Sequence, residues 1–304
     1  MGRDFATLYR RLKKCLYKGK IYKNADLKEY SSYKIGGRAK ILVEVTSLEE
    51  IFKSLTVLEE TNAKFKVIGN GTNVLFSDEG FDGVIVEISS LFNRIEKWGS
   101  KLIVESGASL NSVVAFAIQH GLQGIEEGAG IPGSIGGAVY MNASAYSFQM
   151  ADVVGSVLAV VDGKIRHFTN EECGFAYRKS VFQDYKNAII IRVELSLKRG
   201  KEKEIRKTMV ETLAKRKQNQ PLDYPSCGSV FKHVEGVVVS KLLDDMGFKG
   251  RRIGGAVVSE KHANFIINDG SATAKDVLSL IEIVQKEVYE KKGLRLETEV
   301  EYIE

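Results

Sequence analysis

Residues 128–138 read GAGIPGSIGGA, and this stretch holds five glycines in a chain that is otherwise regularly patterned. Glycine loses more conformational freedom on folding than any other residue, so such a cluster needs a structural reason. A flexible linker would be polar, whereas Ile131 and Ile135 alternate with these glycines. The pattern is typical of a loop whose backbone packs closely against a pyrophosphate, with Ser134 as an additional hydrogen-bond donor.

A second glycine-containing loop, GNGTNVL at residues 69–75, directly follows the short strand that Val67 and Ile68 predict. Successive backbone N–H groups in such a loop form a nest that binds anions. Val74 stands where the dinucleotide-binding fingerprint of a βαβ unit requires its third glycine. The loop therefore indicates either a tight turn or a phosphate-binding segment outside that fingerprint.

Strand-like and helix-like segments alternate around these loops. Thr46 and Glu49 are spaced as a capping box at the start of a helix. Thr273 and Asp276 begin a long helix that Gly293 ends. The pattern predicts an α+β or α/β protein with mixed sheets and at least two hydrophobic cores.

Two further features concern the C-terminal part of the chain. A highly charged helix over residues 201–218 predicts a domain junction near residue 200. Apolar and acidic residues alternate from Leu296 to Ile303, which predicts a final strand.

Charge is distributed unevenly along the 304 residues, whose net charge is +5. Residues 1–23, which include Arg3, carry +7 and the remainder carries −2. A basic arm can bind nucleic acid or an anionic membrane surface. Apolar residues such as Leu8 and Leu12 share one helical face, however, and therefore favour a helix docked on the protein.

Composition argues against other kinds of protein. Cys15, Cys173 and Cys227 are odd in number and widely spaced, so we expect no disulfide framework and a reducing cytoplasm. The scattered histidines predict no metal site. The N-terminus lacks a secretory signal and a myristoylation pattern, no apolar run suits a bilayer span, and we expect no nucleic-acid or membrane partner.

Five motifs together resemble the UDP-N-acetylenolpyruvoylglucosamine reductase family, within the FAD-binding superfamily that includes vanillyl-alcohol oxidase. They are VIGNGTNVL (67–75), GIPGSIGGAVYMNASAY (130–146), FAYRKSVF (175–182), PSCGSVFK (225–232) and GFKGRRIGGAVVSEKHANFIIN (247–268). The motifs come in the family's order, and the resemblance extends from Tyr33 to Val300. The chain is similar to the shorter type of the family, which lacks a tyrosine-bearing insertion between about 180 and 225.

The resemblance implies an α+β architecture with a two-subdomain FAD-binding fold of the vanillyl-alcohol oxidase type and a C-terminal α+β substrate domain. The implied subdomains are residues 1–90 and 91–200 for FAD and 201–298 for the substrate, with the final strand, 299–304, returning to the first. FAD is expected without a covalent bond. The implied FAD contacts are Gly69, Asn70, Gly71, Thr72, Asn73, Leu75, Gly128, Ala129, Ile131, Pro132, Gly133, Ser134, Gly137 and Asn142.

The implied reaction is the NADPH-dependent reduction of UDP-N-acetylglucosamine enolpyruvate to UDP-N-acetylmuramate, a cytoplasmic step of peptidoglycan precursor synthesis. Arg178 matches the position that grips the substrate carboxylate, and a planar guanidinium suits that anion. Glu299 would hydrogen-bond the same carboxylate, and it must be protonated or share a proton to act as the donor. Ser229 would protonate the adjacent carbon, with Lys232 as a candidate for assisting it.

Substrate contacts are expected from Tyr177, Lys232, His233, His262 and Asn264. The chain departs from the family pattern at Thr298 and Glu301, which flank Glu299 where proline and arginine are usual, and at His233, where asparagine is usual. Residues 142–146 also replace a more glycine-rich run. Without the resemblance, each candidate catalytic residue would be read as an ordinary surface or turn residue.

Three other functions compete with this interpretation. Another FAD-dependent oxidase or oxidoreductase of the superfamily would share both glycine loops, but neither loop contains the histidine or cysteine that often carries covalent flavin. A nucleotide-sensing module without catalysis would lack Arg178, Ser229 and Glu299, all of which are present. A nucleic-acid binder would explain only the basic segment.

Overall fold

Helices and strands alternate through residues 4–304, which the computed structural model describes. The helices are α1 (Phe5–Lys13), α2 (Leu48–Glu60), α3 (Leu110–Gln119), α4 (Ile135–Tyr140), α5 (Glu202–Asn219), α6 (Val239–Asp245) and α7 (Ala274–Lys292). The strands are β1 (Lys20–Asp26), β2 (Arg38–Val45), β3 (Phe65–Ile68), β4 (Val74–Phe76), β5 (Phe81–Ile88), β6 (Ile95–Trp98), β7 (Lys101–Glu105), β8 (Leu122–Gln123), β9 (Ser144–Ala145), β10 (Phe148–Gln149), β11 (Val154–Val161), β12 (Lys164–Thr169), β13 (Ile189–Ser196), β14 (Lys198–Arg199), β15 (Arg252–Ile253), β16 (Ala256–Val258), β17 (Ile266–Asn268) and β18 (Glu301–Ile303).

The chain divides into two compact units, each built from separate segments. The first unit contains residues up to Lys23, Lys40–Asn70 and Gly83–Lys215, and the second contains Asn24–Ala39, Gly71–Asp82 and Arg216–Glu304. The last division falls inside α5, whereas the sequence predicted a junction near residue 200, where this helix begins. The finer division at residues 90 and 200 remains a prediction.

The first unit contains a sheet with the order β1-β2-β5-β3, in which β3 and β5 run parallel. Alternate side chains of a strand point to opposite faces, and Ile41, Val43 and Val45 share one buried face. Helices α1 and α2 contribute to the same core through residues such as Leu12 and Ile51. This core holds the basic N-terminal segment in place.

Part of the basic segment, Phe5–Lys13, forms the docked helix α1, as its apolar face predicts. Leu8 and Leu12 of α1 are buried, and Arg11 forms an ion pair with Glu60 of α2. Arg3, which belongs to the same predicted segment, and the Met1-Gly2 terminus lie outside the described residues. Within residues 4–304, no helix is long and apolar enough to cross a membrane.

The start of α2 differs from the predicted Thr46–Glu49 capping box. Ser47 is the N-cap, and its Oγ accepts a hydrogen bond from the Glu50 N–H at 3.2 Å. The buried Glu50 carboxylate accepts hydrogen bonds from the N–H groups of Tyr17, Lys18, Gly19 and Thr46 at 2.7–2.9 Å, and from the Thr46 hydroxyl. The predicted cap was wrong by one residue. Glu50, rather than Glu49, binds the start of the helix, and its carboxylate also binds the turn at residues 17–19.

A second sheet of the first unit has the antiparallel order β12-β11-β13-β7-β6. Helices α3 and α4 pack on it in one hydrophobic core. Ser109 caps α3 as predicted, since its Oγ accepts a hydrogen bond from the Ser112 N–H at 3.0 Å. This core positions the loop of residues 128–138 that precedes and begins α4.

The second unit contains the antiparallel sheet β15-β16-β17, and its core includes apolar residues of α6 and α7. The predicted capping box of Thr273 and Asp276 is confirmed at the start of α7, and Gly293 ends this helix with a left-handed φ of 67°. The predicted final strand is shorter than expected. Only Glu301–Ile303 forms a strand, β18, which pairs parallel with β4.

Replacing Glu50 by glutamine is expected to destabilise the first unit by about 3 kcal/mol at pH 7, because buried N–H donors would lose a charged acceptor. Burial by itself would raise the pKa of Glu50, but the backbone hydrogen bonds outweigh it and hold the pKa at about 2. Since this lies below the usual 4.5, the stabilisation exists above pH 4.5 and disappears as the pH falls towards 2.

Urea unfolding of wild-type protein and Glu50→Gln at several pH values measures this difference. Glu49→Gln is the matched control, because the Glu49 side chain is 61% exposed and pairs only with surface groups. Equal unfolding midpoints for wild type and Glu50→Gln at pH 7 would contradict the assigned role of the carboxylate.

Candidate active site

The two glycine-containing loops meet in the first unit at Gly69. This residue follows β3, and a Cβ added to it would lie 2.6 Å from the Ser134 Oγ of the second loop. That distance is shorter than real Cβ atoms allow, so a side chain at position 69 would displace Ser134. The two segments that the sequence assigned to a dinucleotide are therefore neighbours, and one of them needs glycine at the contact.

Most amides around the start of α4 are used inside the protein. The Ile135 N–H donates to the Ala108 oxygen, the Gly136 N–H donates to the Ser106 oxygen, and the Gly137 N–H donates to the Ser134 Oγ. Within residues 4–304, the Gly133 and Ser134 amides make no such bond. The sequence predicted that backbone N–H groups throughout this loop bind a phosphate. The donors that remain for such a ligand are the N–H groups of Gly133 and Ser134 and the Ser134 hydroxyl.

A buried hydroxyl lies beside this loop. The Ser106 Oγ has no hydrogen-bond partner within the described part of the chain, and a Cβ on Gly136 would lie 2.8 Å from the Ser106 Cβ. Buried polar atoms without partners are rare in folded proteins and call for an explanation such as a missing ligand or water.

Residues 71–75 of the first loop lie in the second unit, where two of their side chains make structural contacts. Leu75 is fully buried in the hydrophobic core of this unit. The Asn73 Nδ2 donates to the Glu299 carbonyl at 3.0 Å, and the Asn73 carbonyl accepts from the Glu301 N–H at 3.0 Å. Contact of these two residues with FAD remains a prediction. The side chain of Asn73 connects the loop to Glu299, just before β18.

Arg178 lies in a tight turn of the first unit that holds it in a strained conformation. Ala176 and Lys179 exchange two backbone hydrogen bonds of 3.0 Å across the turn. Arg178 has a φ of 55°, a left-handed value that costs a residue with a side chain about 1–3 kcal/mol. Its Nη1 donates to the Ser144 Oγ at 2.7 Å, and its guanidinium carbon lies 5.2 Å from the centre of the Tyr177 ring.

Two amide side chains support this turn. The buried Asn142 donates from Nδ2 to the Ala176 oxygen at 2.9 Å and accepts from the Ala151 N–H at 2.9 Å. The Gln183 Nε2 donates to the Arg178 carbonyl at 3.1 Å. The sequence suggested Asn142 as an FAD contact and gave no role to Gln183, although Gln183 directly follows the FAYRKSVF motif. FAD binding by Asn142 remains a prediction, and its amide already holds the Arg178 turn.

Ser229 and Glu299 lie on neighbouring segments of the second unit. Phe231 and Thr298 form an isolated antiparallel bridge, in which the Glu299 N–H donates to the Val230 oxygen at 2.7 Å and the Lys232 N–H donates to the Glu297 oxygen at 2.9 Å. Val230 therefore lies opposite Glu299, and Ser229 is one residue away. The backbone pairing of residues 230–232 with residues 297–299 thus brings together two chain segments that are far apart in sequence and that carry, or directly adjoin, a candidate catalytic residue.

The neighbouring cysteine is a structural residue. The Cys227 thiol is buried and donates to the Val74 oxygen at 3.2 Å. Burial raises the pKa of Cys227 to about 11, so the thiol stays protonated at neutral pH. The hydroxyl of Ser229 is accordingly the better candidate for chemistry in this segment.

The candidate substrate contacts differ in accessibility. Tyr177 and His233 are exposed, and the partly exposed Lys232 pairs with Glu297 through a 3.1 Å contact between Nζ and Oε2. His262 is half-buried, its ring centre lies 4.7 Å from that of Phe265, and burial lowers the pKa of this imidazole. Asn264 is buried, and both ends of its amide are hydrogen-bonded to Phe231.

Comparison with known proteins covers both units. A family model described as UDP-N-acetylenolpyruvoylglucosamine reductase, C-terminal domain, matches residues 220–303, and one described as FAD binding domain matches residues 39–169. The chain is 46% identical to the UDP-N-acetylenolpyruvoylglucosamine reductase of Caldanaerobacter subterraneus subsp. tengcongensis, covering 96% of this chain and 97% of that protein. It is 44% identical to the same-named protein of Thermotoga maritima, covering 90% and 95%.

A solved structure agrees with these relatives. The crystal structure of UDP-N-acetylenolpyruvylglucosamine reductase from Thermus caldophilus matches with a TM-score of 0.80 and 35% identity, covering 95% of this chain and 100% of that chain. The predicted α+β FAD-binding fold, followed by a C-terminal domain of this family, is confirmed. FAD is confirmed as the cofactor, and the close approach of Gly69 to Ser134 and the unpartnered Ser106 hydroxyl fit a bound ligand at these loops.

Replacing Gly69 by alanine is expected to weaken FAD binding about tenfold, because the added Cβ would displace the Ser134 hydroxyl from the Gly137 N–H and from a cofactor bound at the loops. Flavin absorbance that remains with the protein after gel filtration, and titration of the apoprotein with FAD, measure the effect. Gly99→Ala is the control: nothing lies within 4 Å of a Cβ at that position, and its φ of 63° makes alanine strained, so this variant should lose stability without a change in FAD affinity. Unchanged FAD affinity in Gly69→Ala would show that the contact between the loops does not form the FAD site.

Proposed function

Because the chain belongs to the UDP-N-acetylenolpyruvoylglucosamine reductase family, we propose that it reduces UDP-N-acetylglucosamine enolpyruvate to UDP-N-acetylmuramate. NADPH is the proposed electron donor, and FAD supplies the hydride-transfer chemistry when bound. We assign the reaction to peptidoglycan precursor synthesis in the cytoplasm. The observation that carries the proposal is the hydrogen bond from the Glu299 N–H to the Val230 oxygen, because it pairs Glu299 with the residue next to Ser229.

Arg178 is assigned to the substrate carboxylate. A guanidinium can form two parallel hydrogen bonds with a carboxylate, which fixes its orientation as well as its charge. The Ser144 hydroxyl holds one end of the guanidinium, and Asn142 and Gln183 hold the backbone of the turn. Such support is what a strained residue at a functional position requires.

Glu299 and Ser229 are assigned to the charge and the proton. Hydride addition at the vinyl terminus moves negative charge onto the substrate carboxylate, where a protonated Glu299 would donate a hydrogen bond. The adjacent carbon must then receive a proton, which we assign to the Ser229 hydroxyl. Serine is a weak acid, so the proton transfer depends on an accurate position of its oxygen, and Lys232 is a candidate for returning the proton.

The remaining sugar-nucleotide contacts follow from accessibility and charge. Lys232 carries a positive charge two residues beyond Val230, and it would exchange Glu297 for a substrate phosphate. Tyr177 and His233 offer exposed rings, and His262 offers a half-buried imidazole whose Nδ1 has no partner in residues 4–304. We propose that these residues, together with Asn264, belong to the substrate region of the protein.

The test separates the two half-reactions by following flavin absorbance without oxygen. NADPH should bleach the flavin, and UDP-N-acetylglucosamine enolpyruvate should restore its colour. Ser229→Ala is expected to slow recovery about 10²–10⁴-fold and to leave bleaching unchanged, because only recovery needs the proton. Ser226→Ala, three residues earlier, is the control, since Ser226 accepts a hydrogen bond from the Ser32 hydroxyl through its backbone carbonyl, which alanine retains.

Each outcome of this experiment has a separate meaning. Bleaching without recovery in the wild type would rule out the proposed substrate and favour another FAD-dependent oxidoreductase or oxidase of the superfamily. Recovery of Ser229→Ala at the wild-type rate would keep the substrate but remove Ser229 as the proton donor.

A further inference from the structure

Asn264 makes three hydrogen bonds to two consecutive residues beside Ser229. Its Oδ1 accepts from the Phe231 N–H at 3.0 Å, its Nδ2 donates to the Phe231 carbonyl at 2.9 Å, and its backbone carbonyl accepts from the Val230 N–H at 2.8 Å. The side chain therefore binds Phe231 as a neighbouring strand would. This contact ties the Ser229 segment to the loop that precedes β17.

The chemistry of this contact suits asparagine. A single planar amide on a short stem provides both a donor and an acceptor, whereas aspartate provides only acceptors and leucine provides neither. Asn264 is only 6% exposed, so water cannot easily replace its bonds. A hydrogen bond in such surroundings is stronger than in water, and losing it leaves buried backbone groups without partners.

The same segment also pairs with residues 297–299 through the isolated bridge of Phe231 and Thr298. The Val230 and Lys232 backbones bond to Glu299 and Glu297, while Val230 and Phe231 bond to Asn264. Residues 230–232 are thus held from two sides. Ser229 directly precedes this anchored segment, and Gly228 before it has a left-handed φ of 75° with no atom within 4 Å of an added Cβ.

We propose that Asn264 is a positioning residue that sets the direction of the Ser229 hydroxyl by fixing the backbone at Val230 and Phe231. The inference rests on the proposed function, in which Ser229 supplies a proton to the substrate carbon. Glycine restricts the backbone at position 228 less than any other residue would, whereas residues 230–232, which follow Ser229, are hydrogen-bonded from two sides. The side-chain amide of Asn264 acts on the reaction only by holding the backbone next to Ser229, because Phe231 binds both its oxygen and its nitrogen.

The experiment compares the two flavin half-reactions in wild type, Asn264→Ala, Ser229→Ala and the double variant. Asn264→Ala is expected to slow recovery by the enolpyruvyl sugar about 100-fold, the effect of misplacing a reacting group by about 1 Å. Bleaching by NADPH should keep its rate. The double variant should recover no more slowly than Ser229→Ala, since Asn264 acts only through the missing hydroxyl.

Asn268→Ala is the matched control for the loss of a buried amide. Asn268 lies on β17 and is 3% exposed, but its side chain bonds to the Tyr33 carbonyl and to the Gly270 and Ala272 N–H groups. The Asn268→Ala variant should have a lower melting temperature, but its flavin should be reoxidised by the enolpyruvyl sugar at the wild-type rate. If Asn264→Ala does not fold, Asn264→Asp retains the size and the acceptor for the Phe231 N–H and should still slow recovery.

Several results would overturn the inference. Recovery of the Asn264 variants at the wild-type rate, or an equal slowing of bleaching and recovery, would show that Asn264 does not position Ser229. A double variant in which the two effects multiply would show an independent role, such as a direct substrate contact. Normal recovery in Ser229→Ala would instead refute the proposed proton donor, which distinguishes failure of the proposed function from failure of this inference.

Discussion

The hydrogen bonding of backbone groups by asparagine side chains fixes the segments that carry all three candidate catalytic residues. Asn142 binds the carbonyl two residues before Arg178, Asn264 binds the backbone two residues after Ser229, and Asn73 binds the carbonyl of Glu299 itself. Arg178, Ser229 and Glu299 all lie outside the helices and strands, so the hydrogen-bond ladders of the sheets do not restrain them. The amides provide the missing restraint, since an amide can replace a backbone partner on either side.

Restraint matters here because the proposed chemistry uses weak groups. Serine is a poor acid and a glutamate side chain must be protonated before it can donate, so neither contributes much unless it is held in place. Arg178 is held at a strained φ in the first unit, and Val230 and Glu299 pair their backbones in the second unit. In the proposed reaction, the cofactor would supply the hydride chemistry, and the protein would supply position, charge and the proton.

Local signals in the sequence predicted much of the fold. The caps at Ser109, Thr273 and Gly293 depend on contacts within a few residues, and all three are confirmed. The cap of α2 and the length of the last strand were wrong because they depend on distant partners, namely the 17–19 turn that binds Glu50 and the segment at Phe231 that binds residues 297–299. The roles of the asparagines were not predicted for the same reason, since the partner of an amide cannot be inferred from its neighbours in sequence.

The most direct test of this account is the crystal structure of the FAD-bound protein with UDP-N-acetylglucosamine enolpyruvate. The decisive quantity is the distance from the Ser229 Oγ to the substrate carbon that accepts the proton. We expect about 3–3.5 Å, the range of a near-attack geometry, with the Asn264 amide still bound to Phe231. A Ser229 hydroxyl directed away from this carbon, with another acidic group in its place, would contradict the assignment on which the account depends.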